Sequence, residues 1–133
     1  MEKLLKRGLR LVFQDFISDY ETLLSKANLT SLRESRLRSL LVEVHSAVNG
    51  SAPLYIKNLF KEKDSVYNLH NARKLELHRC RTTTYGLRSV SYKGASLWNK
   101  IPNYLRLTTE LKEFKSYLRT IDISSIDDRL NKT

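Results

Sequence analysis

Four side chains of this sequence have the chemistry of metal ligands: His45, His70, His78 and Cys80. A structural zinc site takes four such ligands, usually as two close pairs, and His78 with Cys80 is one pair with no second to match. The histidines therefore read as ordinary surface or core residues, and no metal or other cofactor is expected. Cys80 lies between Arg79 and Arg81 without a recognisable histidine partner, and no serine occupies a Gly-x-Ser-x-Gly elbow. Neither Gly-x-Gly-x-x-Gly nor Gly-x-x-x-x-Gly-Lys occurs, so no phosphate-cradling loop for a small nucleotide substrate is expected. The acid pairs Asp15/Asp19 and Asp127/Asp128 read as solvated helix-junction acids and as part of a tail. No residue is assigned to catalysis.

The basic residues carry the more informative pattern. Of the 133 residues, 24 are Lys or Arg and 14 are Asp or Glu, a net charge of +10. Residues 71–100 hold Arg73, Lys74, Arg79, Arg81, Arg88, Lys93 and Lys100 against Glu76 alone. The same window contains Thr82, Thr83, Thr84, Tyr85, Tyr92 and Trp98. Cations interleaved with hydroxyl and aromatic groups can neutralise phosphates and stack on bases, so this segment is the expected RNA- or DNA-binding surface. Trp98, with Ala95, Leu97 and Ile101 around it, reads as a core anchor, which leaves Tyr85 and Tyr92 as stacking candidates. The bland alternative is that the charge serves solubility.

Composition limits the remaining classes. A hydrophobic fraction of 41% and a charged fraction of 29% suit a chain that builds its own core. One cysteine makes no internal disulfide, so a secreted disulfide scaffold is excluded and an intracellular site, nuclear or cytoplasmic, is expected. No apolar run approaches the roughly 18 residues of a membrane span, and no membrane partner is expected. The opening MEKLLKRGLRLVF is basic and apolar, but Arg7, Gly8 and Arg10 interrupt any signal-peptide core, and Asp15 and Asp19 follow at once.

The elements that must position the basic residues are mostly helical. Leu5, Leu9, Val12, Phe13 and Phe16 fall on one helical stripe opposite Lys3, Lys6, Arg7 and Arg10. Ser18 with Glu21 reads as a capping box for a second helix carrying Tyr20, Leu23, Leu24 and Ala27, with Asn28 as its stop. Ser31 with Glu34 caps a third, through Leu37, Leu40, Leu41, Val44 and Val48 to Asn49-Gly50. Pro53 opens a short helix with Ile56, Leu59 and Phe60, and residues 65–76 read as a loop. Arg81–Tyr85 and Arg88–Tyr92, flanking Gly86, read as the two strands of a hairpin. Ala95, Leu97, Trp98 and Ile101 fit helical turns ending at Pro102, and Leu111, Phe114, Leu118 and Ile121 fit a last helix from near Thr108 or Thr109. The expected fold is mainly α: a small helical cluster, a short two-stranded β-hairpin near residues 81–92 and a C-terminal helix. It forms a single domain over 1–121, with a flexible tail at 122–133.

Several stretches bring a family into view. Lys6-Arg7-Gly8-Leu9-Arg10-Leu11-Val12-Phe13-Gln14-Asp15-Phe16 and Ser18-Asp19-Tyr20-Glu21-Thr22-Leu23-Leu24 lead the set, followed by Arg36-Leu37-Arg38, Asn49-Gly50, Pro53-Leu54-Tyr55-Ile56 and Leu59-Phe60. Thr84-Tyr85-Gly86-Leu87-Arg88-Ser89, Tyr92-Lys93-Gly94-Ala95 and Leu97-Trp98-Asn99-Lys100-Ile101-Pro102 complete it. In order and spacing these resemble the region downstream of the polymerase in the reverse transcriptase proteins of non-LTR (LINE, jockey-like) retrotransposons, over residues 4–120.

The resemblance implies an origin in an RNA-directed DNA polymerase that copies element RNA at a nicked chromosomal target. The family's Ala-Asp-Asp polymerase motif does not occur here, nor does the C-terminal zinc knuckle of some relatives. A two-metal polymerase needs its carboxylates, so this chain is expected to have no enzyme activity by itself and no small-molecule substrate. Met1 stands where such proteins are mid-chain, which implies a fragment or a decayed copy. The expected role is nucleic-acid binding or structural accessory, with RNA or DNA and the upstream polymerase region as partners. The alternatives are an interaction scaffold buttressing the polymerase through Leu5, Leu9, Val12 and Phe16, or a relic without present function.

Overall fold

A computed structural model describes residues 1–64 and 73–126. The chain divides into two compact units, Met1–Leu37 and Arg38–Thr133, where the sequence reading places no boundary. The architecture is mainly α, with no helix among the described residues long and apolar enough to cross a membrane.

The first unit is a helical hairpin of α1 (Glu2–Phe13) and α2 (Tyr20–Ala27), followed by the start of α3 (Leu32–Val48). Gln14 ends α1 in the left-handed conformation (φ 51°), and Asn28 ends α2 in the same way (φ 53°). Leu9, Leu23 and Leu24 make the core of the hairpin, with Leu5, Tyr20 and Ala27 packed against it. The expected stripe stops there. Because the chain reverses at Gln14, Phe16 leaves the helical register and is 63% exposed, and Val12 is 75% exposed.

The link between α1 and α2 is built on Asp15. Its carboxylate accepts hydrogen bonds from Lys26 Nζ (2.6 Å), Ser18 Oγ (2.5 Å), Ser18 N (3.0 Å) and Ile17 N (3.3 Å). Lys26 above all, then Ser18, holds this carboxyl well below the usual carboxylate range. Asp15 is thus the organiser of the turn rather than a merely solvated acid. The expected Ser18–Glu21 capping box does not form, since Ser18 is committed to Asp15 and Asp19 caps α2 by accepting from Tyr20 N (2.7 Å).

The second unit begins within α3. After Val48 the chain turns at Gly50 (φ 82°), a conformation that favours glycine, and α4 (Leu54–Lys57) starts behind Pro53. Glu62 and Leu75 then form an antiparallel bridge, with Lys63 N donating to Lys74 O and Glu76 N to Lys61 O, both at 2.8 Å. Residues 65–72, most of the expected loop, lie outside the described residues.

The hairpin expected near residues 81–92 is replaced by turns over 83–89 and by α5 (Val90–Lys100). Ser89 Oγ caps that helix by accepting from Tyr92 N (3.3 Å), and the next turns bury Ala95, Leu97 and Trp98 completely or nearly so. The Val90/Tyr92 alternation is too short to outweigh a cap and a buried helical face, since β preference depends on a neighbouring sheet that the described residues do not supply. Gly94 lets α5 approach closely: a Cβ there would meet Val44 Cγ2 and Phe60 Cε1, both at 2.9 Å.

Pro102 precedes α6 (Asn103–Leu107), a helix the sequence reading does not separate, and α7 (Leu111–Thr120) follows. Of the residues read as tail, 123–126 form a further helical turn that buries Ile123 fully, while 127–133 lie outside the described residues. The core of this unit combines Leu41 and Val44 of α3, Leu97 and Trp98 of α5, Leu105 of α6, and Phe114 and Leu118 of α7, all at most 2% exposed.

Candidate nucleic-acid interface

The basic segment is held by the far end of α5. Trp98 is wholly buried, as expected of a core anchor, and its Nε1 donates to the carbonyl of Arg73 (2.8 Å). Asn99 is not among the residues the sequence singles out as a site, yet its amide grips the Leu75 backbone from both sides. Asn99 Oδ1 accepts from Leu75 N and Nδ2 donates to Leu75 O, each at 2.8 Å. Leu75, 1% exposed, has its polar groups satisfied by that side chain as a neighbouring strand would satisfy them. The available signal is a polar amide inside an otherwise apolar Leu97–Ile101 run, at a helical position where asparagine is a poor former.

Arg73 belongs to this frame and not to the open surface. It adopts the left-handed conformation (φ 56°), and its Nη1 donates to Asn49 Oδ1 (2.8 Å). Asn49 Nδ2 lies 2.9 Å from Nε2 of His45, which is buried against Phe114 with ring centroids 4.3 Å apart. Thr108 O, 2.8 Å from the same His45 Nε2, can only accept, so that nitrogen is assigned the hydrogen. Burial pushes His45 below its ordinary range, the Thr108 hydrogen bond opposes that shift, and the Arg73 charge adds to it. His45 is a neutral core residue.

The remaining site candidates divide by exposure. Arg79, Arg81, Tyr85, Arg88 and Lys100 are exposed, whereas Lys74, Tyr92 and Lys93 are half-buried. Arg79, Arg81, Arg88 and Lys100 have no ion-pair partner among the described residues, unlike Lys26 and Lys6 of the first unit, which pair with Asp15 and Asp19. Tyr92 lies in the first turn of α5, with its backbone N–H capped by Ser89, while Tyr85 is 84% exposed. These two tyrosines are therefore unequal as stacking surfaces.

The turn bearing Tyr85 is tightly closed. Gly86 N donates to Thr82 O (3.2 Å) and lies 3.3 Å from Thr82 Oγ1, while Ser89 N and Oγ both donate to Gly86 O (3.2 and 2.7 Å). A Cβ on Gly86 would fall 2.6 Å from Cys80 Cβ and 2.7 Å from Thr82 O, so only glycine fits. Cys80 is thus packing for the turn. Among the described residues no three His, Cys, Asp or Glu side chains gather where they could hold a metal ion. His70, Asp127 and Asp128 lie outside the described residues.

Two further features lie in this unit. A cleft of about 460 Å³ beside the Glu62–Leu75 bridge is lined by Lys63, Lys74, Leu75, Glu76, Leu77 and Asn99. Arg106 is 4% exposed; its Nη2 donates to Asn103 Oδ1, its Nε and Nη1 have no hydrogen-bond partner among the described residues, and burial lowers its pKa. No family model, curated protein or solved structure matches the chain.

Proposed function

We propose that this chain is a nucleic-acid-holding accessory region of a non-LTR retrotransposon reverse transcriptase, without polymerase chemistry of its own. The observation that supports it most is the exposed basic turn. Arg79, Arg81 and Arg88 stand in solvent without carboxylate partners among the described residues, on a segment fastened at one end by Trp98 and Asn99 and closed at Gly86. Cations on an ordered frame meet phosphates with little side-chain and loop ordering still to be lost. The motifs quoted above supply the family part of the reading.

A salt titration of the purified chain binding fluorescent RNA and DNA tests it. Each phosphate contact on a single strand contributes about 0.7 to the slope of log K against log salt, so the Arg81→Ala, Arg88→Ala double variant should lose about 1.4. An unchanged slope and affinity would oppose the assignment. A second reading, a protein-interaction scaffold, draws on Leu4, Leu11, Val12, Phe16 and Ile17 of the first unit, each more than 60% exposed. Of the face expected to meet a partner, Leu5 and Leu9 are instead spent inside the helical hairpin. Sedimentation equilibrium separates the two readings, because a scaffold of this kind self-associates whether or not RNA is present.

A further inference from the structure

We infer that the basic turn takes single-stranded nucleic acid, with Tyr85 as the platform on which an unpaired base stacks. This rests on the proposed nucleic-acid-holding role and assigns its substrate class. Four large aromatic residues of the second unit are accounted for by their neighbours. Trp98 and Phe114 are buried together with His45, and Tyr104 and Tyr117 meet edge to face with centroids 6.0 Å apart. Among the described residues Tyr85 enters no such ring contact, and it is 84% exposed.

Its exposure is imposed by a fixed turn. Gly86, the next residue, is packed against Cys80 and tied to Thr82 and Ser89, so the backbone at Tyr85 is held on both sides of the reversal. Exposed Arg81 and Arg88 flank the tyrosine in that same turn. An aromatic ring held outward leaves its apolar faces in water, a cost that an unpaired base removes by stacking. A duplex offers its bases already stacked and can use only the arginines. Binding should therefore combine a charge component common to all nucleic acids with a Tyr85 component restricted to strands with open bases.

The test is fluorescence anisotropy of the full chain with oligo(U) RNA, oligo(dT) DNA, an abasic deoxyribose-phosphate strand of equal length, and a blunt DNA duplex. Tyr85→Ala should weaken oligo(U) and oligo(dT) binding by about 5-fold to about 100-fold, with the salt slope unchanged. Tyr85→Phe should keep parental affinity, because stacking needs the ring and not the hydroxyl. Tyr55→Ala, which removes an aromatic residue 71% exposed on α4, should have little effect. Emission from the buried Trp98 confirms that each variant is folded.

Tyr85-sensitive binding to either RNA or DNA single strands supports the inference and names the source. Equal affinity for strand and duplex, an equal loss on the abasic strand, or an unaffected Tyr85→Ala would overturn it while leaving the nucleic-acid-holding role in place. No binding to any of the four probes removes that role as well.

Discussion

Replacing Asn99 with alanine should loosen the segment that leads into the basic turn. The substitution deletes both hydrogen bonds that satisfy the Leu75 backbone, Asn99 Oδ1 to Leu75 N and Asn99 Nδ2 to Leu75 O, each 2.8 Å. A buried polar group left without a partner costs about 1–3 kcal/mol. Asn99 is itself half-buried, so water can replace part of what is lost, and the two groups together should cost about 3 kcal/mol. Alanine recovers about 0.6 kcal/mol through its better helix propensity. The net expectation is a destabilisation of about 2–3 kcal/mol, which at a typical urea m-value of about 1–3 kcal/mol/M moves the midpoint down by about 1 M or more.

Trp98 is the single tryptophan, fully buried and next in sequence, so its emission reports the transition directly. Amide exchange at Leu75 should accelerate in native conditions, since its N–H loses the acceptor that protects it. Asn99→Asp is an informative companion: its carboxylate still accepts from Leu75 N but opposes the Leu75 carbonyl, so it should not rescue the alanine variant. A midpoint shift below the equivalent of about 0.5 kcal/mol, with unchanged exchange at Leu75, would refute the clamp, because that is the size expected of an ordinary surface substitution.

One glycine substitution should have opposite signs at two sites. Gly8→Ala in α1, where a Cβ meets nothing within 4 Å, should stabilise by up to about 1 kcal/mol. Gly94→Ala should destabilise by about 1 kcal/mol, because overpacking against Val44 and Phe60 at 2.9 Å outweighs the propensity gain. Calorimetric melts of both variants check the pair, and a stabilised Gly94→Ala would show that α5 is not seated as described. His45 should make stability depend on pH. Burial holds its folded-state pKa below the ordinary 6.5, so the unfolded chain takes up the proton first as the pH falls. Its contribution is therefore complete above about 6.5 and is lost as the pH drops through that value toward the folded pKa, at up to about 1.4 kcal/mol per pH unit. His45→Gln, which can still donate to Thr108 O, should flatten urea midpoints measured between pH 7 and 5; an unaltered slope would assign the effect elsewhere.

The sequence by itself determined the helices whose stop and cap signals are local. Asn28 ends α2, Asn49-Gly50 follows α3, Pro102 lies just beyond the end of α5, and Ser31 Oγ accepts from Glu34 N (3.4 Å) as half of the expected box. It also marked Trp98 as core, because one large apolar residue among Ala95, Leu97 and Ile101 has a single favourable destination. Where two local signals competed, only the tertiary structure decided. Val90 and Tyr92 suit a strand in isolation, but a strand needs a partner, whereas the Ser89 cap and the face buried at Ala95–Trp98 are satisfied by a helix. Likewise Asp15 offers the same carboxylate as Asp19, and the position of Lys26 on the returning helix makes it the hub of the turn.

The candidate surface divides in the same way. Charge and residue type, which bonding leaves unchanged, single out the stretch from Arg73 to Lys100 without a structure. Which of its members are free is a property of packing. Arg73 is drawn inward by Asn49, Tyr92 is half-buried at the start of α5, and Tyr85 is held out by a glycine that fits only against Cys80. Asn99 acts through a partner 24 residues earlier in the chain, a separation over which local periodicity carries no information.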